Sequence, residues 1–183
     1  IGKSLSIIAE GVEGGISALG TNGITVNALA TDVVHLRGLT INGNLTGLAG
    51  IRVLSAAEVY VERCLIYGFR GSPGSAMDVL NTSANTRVFV TNTSMVNNVR
   101  GIRSVPSGAG TVQLLLDGVT IDNATNALTA QANAVFRVTN SVVTNSNSAI
   151  TTGGTGQIFS FGNNAIAGSV GAEVFTAPNI APK

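Results

Sequence analysis

A pattern of about ten residues recurs along this chain roughly every two dozen positions, and a repeat of that period admits few folds. One copy reads Val34-His35-Leu36-Arg37-Gly38-Leu39-Thr40-Ile41-Asn42-Gly43. The next reads Val59-Tyr60-Val61-Glu62-Arg63-Cys64-Leu65-Ile66-Tyr67-Gly68. Others begin at Val88, Leu114 and Phe136, a looser one runs from Phe159 to Gly168, and Leu5-Ser6-Ile7-Ile8 is a partial copy. The common form is apolar-x-apolar-x-(Gly/Asn)-x-x-apolar-x-(Gly/Asn). The alternation specifies a short strand. The Gly or Asn after it specifies a sharp turn, because both tolerate left-handed backbone angles. A second strand follows. A third recurs in step, around Ile24, Ile51, Met77, Ile102, Leu128 and Ile150.

Three short strands per repeat, in fixed order, make one coil of a solenoid. Thr, Val and Asn dominate the repeats and are weak helix formers. Most turns lack the Asn-Gly of a hairpin, which disfavours an antiparallel sandwich. The fold class is therefore all-β, a single-stranded parallel β-helix of about six to seven coils. With coils about 4.8 Å apart it forms a rod roughly 30–35 Å tall. Residues 1–175 make the β-helix, and 176–183, with two prolines, form a tail or cap. The expected inward columns are Val34-Val59-Val88-Leu114-Phe136, Leu36-Val61-Val90-Leu116-Val138-Phe161, Ile41-Ile66-Met95-Ile121-Val143-Ile166, and the third-strand residues above. Arg63, Asn92, Asn140 and Asn163 are expected to share a turn position with Gly38 and Gly118, their amides bonding to neighbouring coils.

Composition bounds the partners. Charged residues are 10% of the 183, against roughly 25% in ordinary domains, and aromatics are 4%. Such a chain is not a charged helical bundle, and recurring Val, Ile and Leu exclude a disordered tail. A net charge of +1 without a Lys/Arg cluster gives no electrostatic footprint for nucleic acid. Mean hydropathy is +0.38, but Gly, Asn or Ser interrupts every apolar stretch, so no membrane span is expected. Cys64 is the single cysteine, which rules out an intrachain disulfide. It falls in an inward column with Leu39, Thr93, Val119 and Ser141, as a buried structural thiol. No metal-ligand spacing or phosphate loop appears, so no metal or cofactor is expected.

The coil pattern resembles the right-handed parallel β-helix repeat proteins of the pectin-lyase-like superfamily. Lys3-Ser4-Leu5-Ser6-Ile7-Ile8-Ala9-Glu10-Gly11 looks like a first coil of such proteins. Phe159-Ser160-Phe161-Gly162-Asn163-Asn164-Ala165-Ile166-Ala167-Gly168 resembles the terminal coil of a bacterial group described only as right-handed β-helix repeat proteins. The resemblance implies a right-handed winding and a secreted or cell-surface place. It also brings lyases, hydrolases, adhesins and phage tailspikes into view, since one fold hosts many functions. Pectate lyases hold calcium with Asp/Glu and use an Arg base, and galacturonases use clustered aspartates. Here no carboxylates pair in sequence, and Glu62 aligns with Thr91. No catalytic residues are assigned.

Two outward constellations remain as ligand-binding candidates. Arg52, Asp78 and Arg103 align on successive coils, as a surface ion-pair ladder or an acidic-sugar site. Arg37 and Glu62 align as another surface pair. His35, Tyr60 and Phe89, continued by Leu115 and Arg137, form an outward stripe that can stack on sugars or dock a partner. A loop at 72–75 or 104–110 would otherwise cover it. Ile1 starts almost inside the first coil, so preceding residues or another chain are expected at that end. End-to-end stacking into a homo-oligomeric filament follows as an expectation. The sequence thus reads as a non-enzymatic extracellular structural or adhesive scaffold, possible partners being itself or a surface glycan. The alternative is a carbohydrate-binding or polysaccharide lyase/hydrolase-related protein.

Overall fold

The computed structural model describes residues 1–81, 85–171 and 174–176. Among them are twenty strands and no helix, wound into about six turns of a parallel β-solenoid. The first coil is β1 (Leu5–Ile8), β2 (Gly14–Ser17) and β3 (Asn22–Asn27). The second is β4 (Val33–Arg37), β5 (Leu39–Asn42) and β6 (Ala49–Ser55), and the third β7 (Glu58–Glu62), β8 (Leu65–Tyr67) and β9 (Ser75–Val79). The fourth is β10 (Thr86–Thr91), β11 (Ser94–Val96) and β12 (Arg100–Ser104), and the fifth β13 (Val112–Asp117), β14 (Thr120–Asp122) and β15 (Asn126–Gln131). The sixth is β16 (Ala134–Thr139), β17 (Val142–Thr144) and β18 (Ser148–Gly153), after which come β19 (Gln157–Ser160) and β20 (Ala165–Ala167). The first strands of the coils form one sheet of seven, β1 to β19. The second strands form another of seven, β2 to β20, and the third strands a sheet of six, β3 to β18.

One left-handed residue separates the first strand from the second in each coil from the second onward. These residues are Gly38 (φ 70°), Arg63 (51°), Asn92 (47°), Gly118 (65°), Asn140 (48°) and Gly162 (86°). The turn falls two residues after the second inward side chain, so it fixes the register of the whole coil. In the last coil this corrects the sequence reading by one residue. Gly162, not Asn163, takes the turn, and Val138 pairs with Ser160, not Phe161. Ile158 and Ser160 point inward and are buried, while Phe159 joins the outward column beside Arg137. An extra residue then precedes β20. Asn163 compensates with its side chain: its Oδ1 accepts from the Asn140 backbone N–H at 3.2 Å. Asn164 Oδ1 accepts from the Ser141 N–H at 2.8 Å.

The remaining inward columns pair as the alternation requires. Like residues stack on like along the axis, giving one continuous apolar core. Cys64 is buried in its column, and burial pushes its thiol pKa up, which leaves it a poor nucleophile. At one end Ile1 lies along β3, with its amino group donating to the Thr25 carbonyl at 2.7 Å. At the other, Phe175 packs against the core. Thr176 bonds Ile158, donating N–H to its carbonyl at 2.8 Å and accepting from its N–H at 2.9 Å. Of the tail at 176–183, residues 177–183 lie outside the described residues.

Candidate functional site

The outward face of the first sheet carries the aromatic stripe. His35, Tyr60 and Phe89 hold the central outward position of β4, β7 and β10, in register. Parallel strands space equivalent side chains by about 4.8 Å, close to the thickness at which flat rings stack. Centroids accordingly lie 4.6 Å apart for His35–Tyr60 and 4.7 Å for Tyr60–Phe89, with planes 7° and 11° from parallel. The stacking has a chemical consequence. The ring faces that would lie on a sugar are turned to one another, and edges face outward. Tyr60 has a ring on both sides, while His35 and Phe89 turn their other faces toward Ser6 and Leu115. Two shallow depressions flank the stripe. One of about 200 Å³ is lined by Ser6, Ile8, His35, Arg37, Tyr60 and Glu62. The other, about 280 Å³, is lined by Arg87, Phe89, Gln113, Leu115 and Arg137. Neither the 72–75 nor the 104–110 loop lines them, and the rings are half-buried.

Charges on this side of the rod pair from coil to coil. Arg37 contacts Glu10 at 2.5 Å and Glu62 at 3.6 Å, and Arg63 reaches Glu10 at 3.3 Å. Glu58 pairs with Arg87 and accepts a 2.6 Å hydrogen bond from the Tyr60 hydroxyl. That bond exists only while the phenol holds its proton, so it raises the Tyr60 pKa above the ordinary 10.0, with burial and the Glu58 charge adding. A group whose folded pKa is raised contributes stability below its unfolded value and loses it as pH rises through the folded one. In a Tyr67→Phe background, phenolate absorbance should therefore titrate above a free tyrosine's midpoint, and Glu58→Gln should bring the midpoint down. A midpoint at the free value in both proteins would remove the hydrogen bond from the account.

The Arg52–Asp78–Arg103 column is aligned as read, but it is not a surface ladder. The Asp78 side chain is fully buried. Arg103 grips it with both oxygens engaged, Nε to Oδ1 at 2.7 Å and Nη2 to Oδ2 at 3.0 Å. Arg52 is in register on the other side, yet it makes no ion pair among the described residues and its Nε is buried without a partner. The pairing is lopsided: both Asp78 oxygens accept from the Arg103 fork.

Asp117 and Asp122 are tied down by amides and a hydroxyl. Asp117 accepts from Asn140 Nδ2 at 2.9 Å. Asp122 Oδ1 accepts from Thr144 Oγ1 at 2.9 Å and Asn145 Nδ2 at 2.8 Å. Among the described residues, no group of three or more His, Cys, Asp or Glu is placed to hold a metal ion. The sequence reading passed over Glu58, Arg87 and Arg100, which lie beside its candidates. The signal was available, since Glu58 and Arg87 align with each other two positions before Tyr60 and Phe89, on the same outward face. No family model, curated protein or solved structure matches the chain.

Proposed function

We propose that this chain is a non-enzymatic structural or adhesive scaffold, a right-handed β-helix repeat protein of pectin-lyase-like type, secreted or held at a cell surface. One observation carries the reading: its outward charged and aromatic side chains are largely bonded to one another across neighbouring coils. A catalytic carboxylate must be free to exchange a proton or contact substrate. Here Glu10, Glu58, Glu62 and Asp78 hold arginines, while Asp117 and Asp122 hold amides. Such side chains pin coil to coil. The low charge and the resemblance of the coils support an extracellular place. End-to-end joining of rods is the self-association that suits the architecture, because open strand edges pair with further parallel strands.

The test sets uronate polymers and neutral polysaccharides before the protein. Absorbance of unsaturated products and release of reducing ends should both stay at the blank. Turnover above it, lost on substituting any of these carboxylates, would overturn the scaffold reading. Sizing with electron microscopy should show rods lengthening with concentration, and a strict monomer at high concentration would end the end-to-end part.

A second reading, glycan binding at the first sheet, draws on the depressions beside the aromatic stripe. If it holds, Tyr60→Ala with Phe89→Ala abolishes binding on a glycan array. No glycan bound by the wild type, or binding unchanged in the double variant, removes it.

A further inference from the structure

We propose that the outward face of the third sheet holds an oxyanion-binding pocket, built by Arg100 and Arg103 with the hydroxyls of Thr129 and Thr151, for one carboxylate, sulfate or phosphate group. A hollow of about 210 Å³ opens there, lined by Arg100, Arg103, Asn126, Thr129, Gln131 and Thr151. Its polar lining is guanidinium, hydroxyl and amide, with no carboxylate. The charge around it does not balance: Arg52 and Arg103 are in register with Asp78, Arg100 is beside them, and Asp78 is the one carboxylate in the column. Arg103 holds that carboxylate through Nε and Nη2, which leaves its Nη1 outside the pair. Arg100 gives one Nη1 bond to the Pro73 carbonyl, a neutral acceptor. Burial, and then the neighbouring Arg103 charge, push the Arg100 pKa below its ordinary value, against the smaller opposite pull of Asp78.

Thr129 and Thr151 follow Arg103 in the same outward column, on the next two coils. Thr129 is therefore next to Arg103, and Thr151 lines the far side of the same hollow, its hydroxyl 3.2 Å from Ser148 Oγ. Forked guanidinium donors with adjacent hydroxyls are the donor set that planar or tetrahedral oxyanions take. The site goes beyond the scaffold reading and shares with it only the Asp78–Arg103 pair.

The test uses the full chain, labelled with ¹⁵N, and three separate titrants: sodium sulfate, inorganic phosphate and acetate. Ionic strength is held constant with sodium chloride. At least one titrant should give saturable shifts at millimolar concentration, confined to the Arg100 and Arg103 side-chain N–H signals and the Thr129 and Thr151 amides. The three arms separate tetrahedral from planar anions. Arg100→Gln should weaken binding at least about ten-fold, as expected for loss of a charged hydrogen-bond donor. Thr151→Val, which leaves both arginines in place, should weaken it by a smaller factor. Signal dispersion matching the wild type checks that each variant folds, and Thr151→Val decides if Arg100→Gln does not. Shifts that never saturate, that chloride reproduces, or that persist at full affinity in the folded variants would overturn the pocket.

Discussion

Phe69→Ala is expected to cost about 3–5 kcal/mol of folding stability, the range for a large aromatic removed from a packed core. Phe69 is fully buried, and the walls around it are made for a ring. A Cβ built on Gly47 would come within 2.7 Å of two Phe69 ring carbons. One on Gly50 would lie 3.2 Å from the ring, 2.4 Å from Ile66 Cγ2 and 2.6 Å from the Ala76 carbonyl oxygen. Two positions thus lack side chains where the ring sits, and they have none with which to fill the space it leaves. The backbone there is also fixed, since the Phe69 N–H donates to Asn98 Oδ1 at 2.9 Å and Asn98 Nδ2 donates to the Ile66 carbonyl at 3.2 Å. The cavity should stay open. Urea unfolding measures the loss directly, and the melting temperature should fall by about 6–20 °C. A loss below about 1.5 kcal/mol would mean that the coil collapses around the vacancy. Gly50→Ala should destabilise from the opposite direction, by overpacking.

The second large effect is at the buried ion pair. Arg103→Met removes the fork from a carboxylate that has no access to water, and an uncompensated buried charge costs about 3–5 kcal/mol. Arg52 is the other cation in that column, so Arg52→Met in the Arg103→Met protein removes its capacity to take over. Asp78→Leu combined with Arg103→Met should return much of the loss, because replacing both partners by apolar groups removes the desolvation penalty along with the attraction. The three proteins are compared by denaturant unfolding. If Arg103→Met costs under about 1 kcal/mol, even with Arg52 replaced, the pair behaves as an exposed surface bridge.

These two sites differ in how far the sequence disclosed them. Apolar alternation and turn residues were sufficient for the inward columns through five coils, because a parallel stack brings equivalent residues into contact. The reading slipped where two alternations competed. Phe159 and Phe161 are larger than Ile158 and Ser160, and Phe161 is far more apolar than Ser160, but the turn at Gly162 overrode hydrophobicity. Phe69 escaped because it lies just past a strand, and its burial depends on two glycines from the coil below. The alignment of Arg52, Asp78 and Arg103 was legible, whereas its burial and the choice of Arg103 as partner were not.

The aromatic stripe shows the same division. Sequence registered His35, Tyr60 and Phe89 on one outward column, but not that their faces close on one another and leave edges outward. Arg100 is offset from the column that sequence singled out, and its approach to Arg103, Thr129 and Thr151 arises only when the coils are stacked.

The repeat by itself determined the all-β solenoid, the coil count and the identity of nearly every inward column. It could do so because period and alternation are properties of the chain read in order. Only the tertiary structure decided which aligned charges touch, which are buried, and where positive charge is left in surplus. Those outcomes depend on side-chain direction and on loops packed from adjacent coils, which a one-dimensional period does not encode.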